Sequence, residues 1–126
     1  MAESAERRII AVVRDLFFAI RIRETLAPRG YRVDVAKSRE ALDALLADGE
    51  LPALVIVDLA FVASEPPALI AALRAAPRTA KLPILAFGSH LDQVARDAAK
   101  AAGADRVVAN SKLAEALPEL VERYAR

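Results

Sequence analysis

A three-layer α/β/α sandwich around a five-stranded parallel sheet is the fold this sequence predicts. Two observations carry the prediction. Five short apolar runs recur along the chain, each followed by a helix-patterned segment. The runs Ile9-Ile10-Ala11-Val12-Val13 and Leu54-Val55-Ile56-Val57 are apolar without alternation, as strands are when helices cover both faces of a sheet. Such regular strand–helix alternation implies parallel strands joined by right-handed crossovers.

Each element has its own local reason. Arg8 to Val13 reads as the first strand. Asp15 can begin a helix to about Ala27, which Pro28 and Gly30 end. Tyr31 to Val35 alternates and suits a sheet edge. Ser38 is a good N-cap for a helix to about Ala47, terminated by Gly49. Leu54 to Asp58 is the third strand, and Pro66 and Pro67 suit the first turn of a helix ending near Ala76. Ile84 to Phe87 is the fourth strand. A helix over Leu91 to Ala102 places Leu91, Val94, Ala95, Ala98, Ala101 and Ala102 on one face, and Gly103 caps it. Asp92 and Arg96 are spaced for an i,i+4 ion pair. Arg106 to Ala109 is the fifth strand. A last helix begins near Ser111, presents Leu113, Leu117, Leu120 and Tyr124 on one side, and should kink at Pro118.

Composition narrows the class of function. The 126 residues fit one domain, with no linker or low-complexity tract. Hydrophobic residues make up 56%, enough for a full core, and charged residues 28%. Eighteen basic against seventeen acidic side chains leave a net charge of +1, so nothing broad favours nucleic acid or an anionic membrane. Arg7, Arg8, Arg14, Arg21, Arg23, Arg29 and Arg32 bias the first quarter, but Glu3, Glu6 and Glu24 dilute them, and the expectation is ordinary solvated surface. With no cysteine there is no disulfide, thiolate or Cys-metal chemistry. No apolar run approaches the roughly 20 residues that span a bilayer. The start, Met1 to Glu6, is polar and acidic, unlike a secretory signal, so a cytoplasmic protein is expected.

The residue with the most chemical promise is Asp58. A carboxylate at the carboxyl end of a buried parallel strand stands where open α/β sheets place their ligands. The turn after the first strand, Arg14-Asp15-Leu16-Phe17, is bulky and glycine-free, which argues against a phosphate-cradling nucleotide site. Ser89-His90 follows the fourth strand at the same edge. His90, the only histidine, could be a pH-sensitive contact or metal ligand there, against the plainer reading of a loop residue capping the next helix. One histidine with scattered acids is too little for zinc.

Four features occur in a definite order. The first strand leads into Asp15, Asp58 closes the third, Lys81-Leu82-Pro83-Ile84-Leu85 leads into the fourth, and Ala102-Gly103-Ala104-Asp105 precedes the fifth. Together, over nearly the whole chain, they make it resemble the receiver domain of bacterial two-component response regulators. The resemblance implies a flavodoxin-like strand order, 2-1-3-4-5. It also implies a site: an acceptor aspartate after the third strand, two acids after the first that hold Mg²⁺, a Ser or Thr after the fourth, and a Lys after the fifth. Asp58 matches the acceptor and Asp15 the second acid. Arg14 stands in place of the first acid, Gly88 (with Ser89 next to it) in place of the hydroxyl, and Asn110 in place of the lysine.

Those departures imply a degenerate receiver, acting in signalling by protein–protein contact, with neither enzymatic activity nor a cofactor. Arg14 is expected to pair with Asp58 or Asp15 and discourage metal, leaving Asp58 a structural carboxylate held by Arg14 or backbone amides. One alternative is a stand-alone receiver phosphorylated at Asp58, with Asp15, Asp58 and the Ala60 carbonyl holding Mg²⁺. Another is a small-ligand sensor with a pocket between Asp15, Asp58, Ser89 and Asn110. On the first helix Phe18, Ile22 and Leu26 form the stripe that should face the sheet. Leu16, Phe17 and Ile20 lie on a different side. They either pack on the last helix or its preceding loop, or form a protein-binding face, such as a homodimer surface on the first and last helices.

Overall fold

In the computed structural model, which describes residues 7–126, β1 (Arg7–Val12) pairs on one side with β2 (Tyr31–Ala36) and on the other with β3 (Leu54–Asp58). β4 (Ile84–Gly88) lies next to β3, and β5 (Arg106–Ala109) completes the sheet. Every pairing is parallel and the order is β2-β1-β3-β4-β5. This is the flavodoxin-like order that the resemblance implied. The polar opening read from residues 1–6 lies outside the described residues.

Successive residues of a strand point to opposite faces, so the apolar runs feed two cores. Ile9, Ala11, Leu54, Ile56, Leu85 and Phe87 pack under α1 (Leu16–Leu26) and α5 (Asn110–Tyr124). Ile10, Val12, Val55, Val57, Ile84 and Ala86 pack under α2 (Arg39–Ala47), α3 (Pro66–Ala75) and α4 (Gln93–Ala102). Every residue of β3 is buried, which is why that run shows no polar alternation.

Helix ends follow their local chemistry. Asp15 caps α1, its Oδ1 accepting from the amides of Phe17 (2.8 Å) and Phe18 (3.3 Å). Ser38 caps α2 through the Ala41 amide at 3.0 Å. α1 stops at Leu26 because Pro28 is taken up in a 3-10 turn over Ala27–Arg29. Gly103 ends α4 at φ 118°, and a Cβ there would lie 2.8 Å from Cγ of Arg74. Pro118 does kink α5, with the break at Ala116 (φ −120°, ψ 25°).

Three expectations change. The buried side of the fourth helix is rotated from the apolar face assigned to it. Leu91 and Val94 are 83% and 80% exposed, while Ala99 is fully buried. Ala95, Ala98 and Ala102 are half-buried, so the apolar stripe meets the sheet along its Ala99 side and leaves its other edge in solvent. The Asp92–Arg96 ion pair is not formed. Asp92 instead caps α4 through the Ala95 amide, and Arg96 donates to the His90 carbonyl and to Gln93 Oε1. Finally, Arg8 is not solvated surface. Its Nε meets Asp34 at 2.9 Å, and its other nitrogens hold the carbonyls of Glu50 and Leu45, tying β1 to β2 and to the end of α2.

Candidate functional site

β3 delivers Asp58 to the carboxyl edge of the sheet, where the residue is only 6% exposed. Its Oδ1 accepts from the Ala60 amide at 2.9 Å. Burial raises its pKa above the ordinary carboxylate value. The amides of Ala60 and Arg14 oppose that shift, and the negative charge of Asp15 adds slightly to it. Desolvation dominates, and among the described residues no ion pair to Asp58 offsets it.

The expected guanidinium ion pair is not formed. Arg14 is exposed, and among the described residues its side chain makes no ion pair with Asp58 or Asp15. The physical reason is that both carboxylates are already served. Asp58 is held by backbone N–H, and Asp15 is engaged by two amides of α1. Drawing a guanidinium inward would add a desolvation cost with little left to satisfy. Of the two supports expected for Asp58, the backbone amides are the one formed.

Arg14, Asp15, Asp58 and Ala60 together line a cleft of about 330 Å³. Ser89 and Asn110 do not line it. Ser89 accepts from the Leu91 amide at 3.1 Å, and Asn110 opens α5 on the surface. The four-cornered ligand pocket expected among Asp15, Asp58, Ser89 and Asn110 is therefore not assembled. His90 is exposed on the β4–α4 loop and does not cap α4, since Asp92 does. Among the described residues no three His, Asp or Glu side chains gather as a metal site would require.

Gly88 closes β4, and the space beside it is taken. A Cβ on Gly88 would lie 3.2 Å from Leu59 Cβ and 3.3 Å from Leu59 Cδ1. Leu59 is held there by its amide, which donates to the Phe87 carbonyl at 2.9 Å. Residue reading alone passed over Leu59. The signal that finds it is register: Asp58 pairs with Phe87, which sets Leu59 against Gly88.

On α1, Phe18 stacks on Phe87 with ring centroids 4.8 Å apart, and Ile22 and Leu26 are buried, as the stripe predicted. Leu16, Phe17 and Ile20 are exposed, Phe17 at 84%.

No protein-family model and no curated protein matches the chain. Solved structures do. A Chloroflexus aurantiacus protein described as a response regulator is 26% identical, with 94% of this chain and 96% of that one covered and a TM-score of 0.84. A chemotaxis response regulator of Vibrio cholerae gives 19% identity, coverage of 94% and 98%, and a TM-score of 0.81. The receiver domain of a Pseudomonas aeruginosa sensor histidine kinase, solved with a magnesium ion in its active-site cleft, gives 19%, 95% and 98%, and 0.81. The chain has the receiver-domain fold of response regulators. Among the described residues no helix is long and apolar enough to cross a membrane.

The buried carboxylate predicts a pH dependence. A folded-state pKa above the unfolded value of 3.8 means the native state holds its proton more tightly. The associated stability is fully present below that value and is lost as pH rises through the folded pKa. Asp58→Asn removes this loss. The urea midpoint of the variant relative to the parent is therefore expected to rise with pH across that window. A relative midpoint that is flat or falls would contradict the burial-dominated shift.

Proposed function

We propose that this chain is a receiver-fold signalling module that works through protein–protein contact and does not use Asp58 as a phosphoryl acceptor. The observation that carries the reading is the composition of the cleft. A mobile phosphoryl group needs cations and hydroxyl or ammonium donors converging on its oxygens. Here the β4 position is Gly88 with Leu59 packed over it, and the β5 position is Asn110, away from the cleft. Arg14 brings a permanent positive charge to the place where a second carboxylate would attract Mg²⁺. Asp15 has its carboxylate oxygen committed to the α1 cap. Asp15, Asp58 and the Ala60 carbonyl are the donors that Mg²⁺ would use. With the permanent charge of Arg14 lining the same cleft and no third carboxylate among the described residues there, they fit a dication poorly.

The test is to add Mg²⁺ and beryllofluoride, a phosphoryl mimic, to isotope-labelled protein and follow amide shifts. No saturable change around Asp58, Ala60 and Asp15 is expected. Saturable shifts localised there would favour the alternative of a working phosphoacceptor.

The contact surface in this reading is the exposed face of α1, Leu16, Phe17 and Ile20, engaging a second copy of the chain through α1 and α5 or a signalling partner. Leu91, just before α4, and Val94 in its first turn are a second exposed apolar pair. For the homodimer, Phe17→Glu is expected to lower the sedimentation coefficient toward that of a monomer without changing the urea midpoint. Sedimentation that does not change would remove α1 from the interface.

A further inference from the structure

The large apolar side chains left in solvent gather at one edge of the molecule. Every strand pairing is parallel, so the carboxyl ends of β1, β3 and β4 lie side by side. Leu16 and Phe17 follow β1, Val62 follows β3, and Leu91 and Val94 follow β4, and all are exposed. Ile20 extends the α1 group by one turn. Among the described residues Leu51 alone lies at the opposite edge, ahead of β3. The cleft of Arg14, Asp15, Asp58 and Ala60 opens among these same loops. Its acid Asp15 precedes Leu16 directly, and Ala60 stands two residues before Val62.

Charge decides what can enter that cleft. With both acids ionised, two carboxylates and one guanidinium leave a single negative charge. That suits one monovalent group and falls short of a dication. Asp15 is exposed, and only its Oδ1 is engaged by the α1 amides, so Oδ2 has no partner among the described residues. Asp58 forms the deeper wall, also without an ion pair among the described residues. Asn110 brings no charge from the start of α5 and does not line the cleft. From this arrangement we infer that the carboxyl edge of the sheet docks a protein partner whose surface carries a basic side chain amid apolar ones, the basic group meeting Asp15 and Asp58 and the apolar groups covering Phe17, Val62 and Leu91. A lysine or arginine suits the place because its apolar stem packs along the rim while its head reaches the acids. Apolar cover around the ion pair keeps water from it, as the ring of contacts around an interface hot spot does. The inference rests on the reading of this chain as a contact module and adds the chemistry of the partner.

The probe is the peptide acetyl-Leu-Lys-Leu-amide, titrated into full-length isotope-labelled protein and followed by amide shifts. Saturable shifts at Asp15, Ala60, Val62 and Leu91 are expected. Replacing the lysine of the peptide by norleucine, or both its leucines by glycine, is expected to weaken binding about tenfold, the size of one charge-assisted hydrogen bond or of a comparable apolar contact. Asp15→Asn keeps a good helix cap and removes the charge, and should weaken the lysine peptide by about the same factor while leaving the norleucine peptide unchanged. Leu91→Ser, an exposed position, should weaken both. Three results would overturn the inference: no saturation by the lysine peptide, equal affinity for the lysine and norleucine peptides, or binding of the lysine peptide unchanged by Asp15→Asn. None of these bears on the beryllofluoride titration, whose saturation would instead remove the reading beneath the inference.

Discussion

Phe87→Ala is expected to lower the free energy of unfolding by about 3–5 kcal/mol, the range for emptying a buried aromatic site. Phe87 is among the largest fully buried side chains and sits on the central part of the sheet, where its ring stacks on Phe18 of α1. The loss has two parts: the transfer free energy of the ring, and a cavity that β4 and α1 cannot collapse to fill. Domains of this kind are stable by roughly 5–15 kcal/mol, so the variant should lie close to the unfolding threshold. Urea denaturation followed by far-ultraviolet circular dichroism measures it. Phe87→Leu, which keeps most of the volume, is expected to cost about 1–1.5 kcal/mol. A loss below 1 kcal/mol for Phe87→Ala would mean that α1 is not anchored through this stack. Because α1 also carries Phe17, loosening it is expected to weaken any self-association as well.

Arg74→Ala is expected to cost about 3 kcal/mol, unusually much for a side chain that reaches solvent. Its Nε donates to the Gly103 carbonyl at 2.9 Å, and Nη1 to the carbonyls of Ala80 and Leu82 at 3.1 and 2.6 Å. Nη2 meets Asp105 Oδ2 at 2.8 Å, and that same oxygen accepts from the Ile84 amide. One guanidinium thus ties α3, the lead-in to β4 and the turn before β5. Truncation leaves several partly buried carbonyls without a donor at once, and each such loss costs about 1 kcal/mol or more. Arg74→Lys keeps the charge but not the planar fork, and should recover less than half of the loss. An Arg74→Ala midpoint within error of the parent would show that water replaces these bonds without cost.

These two residues mark the boundary of what can be read along the chain. Phe87 was legible as part of the fourth strand, though its partner on α1 was not. Arg74 and Arg8 carried no sequence signal, because an arginine in a helix or strand reads as surface. Only the convergence of carbonyls from distant loops makes them bury their stems and spend their donors. The fourth helix shows a related limit. Its apolar stripe is wider than the strip that packs inward, and tertiary contact selects the side near Ala99 while leaving Leu91 and Val94 exposed. At the candidate site the positions of Asp58, Asp15, Gly88 and Asn110 were legible, whereas the partners of Asp58 were not. A guanidinium next in sequence to one carboxylate and near another suggested an ion pair, but two backbone amide arrangements were already there.

By itself the sequence determined the alternation of five strands and five helices, the caps at Asp15 and Ser38, the kink brought by Pro118, and the departures at Arg14, Gly88 and Asn110. All of these depend on local propensity, periodicity or residue identity, and none needs a distant partner. Tertiary structure alone decided that Arg14 makes no ion pair with Asp58, that Leu59 closes the space beside Gly88, and that Phe17 is uncovered. Each of these depends on which surfaces meet across the sheet. Burial and hydrogen-bond competition between residues far apart in the chain set those outcomes, and a local pattern carries no record of that competition.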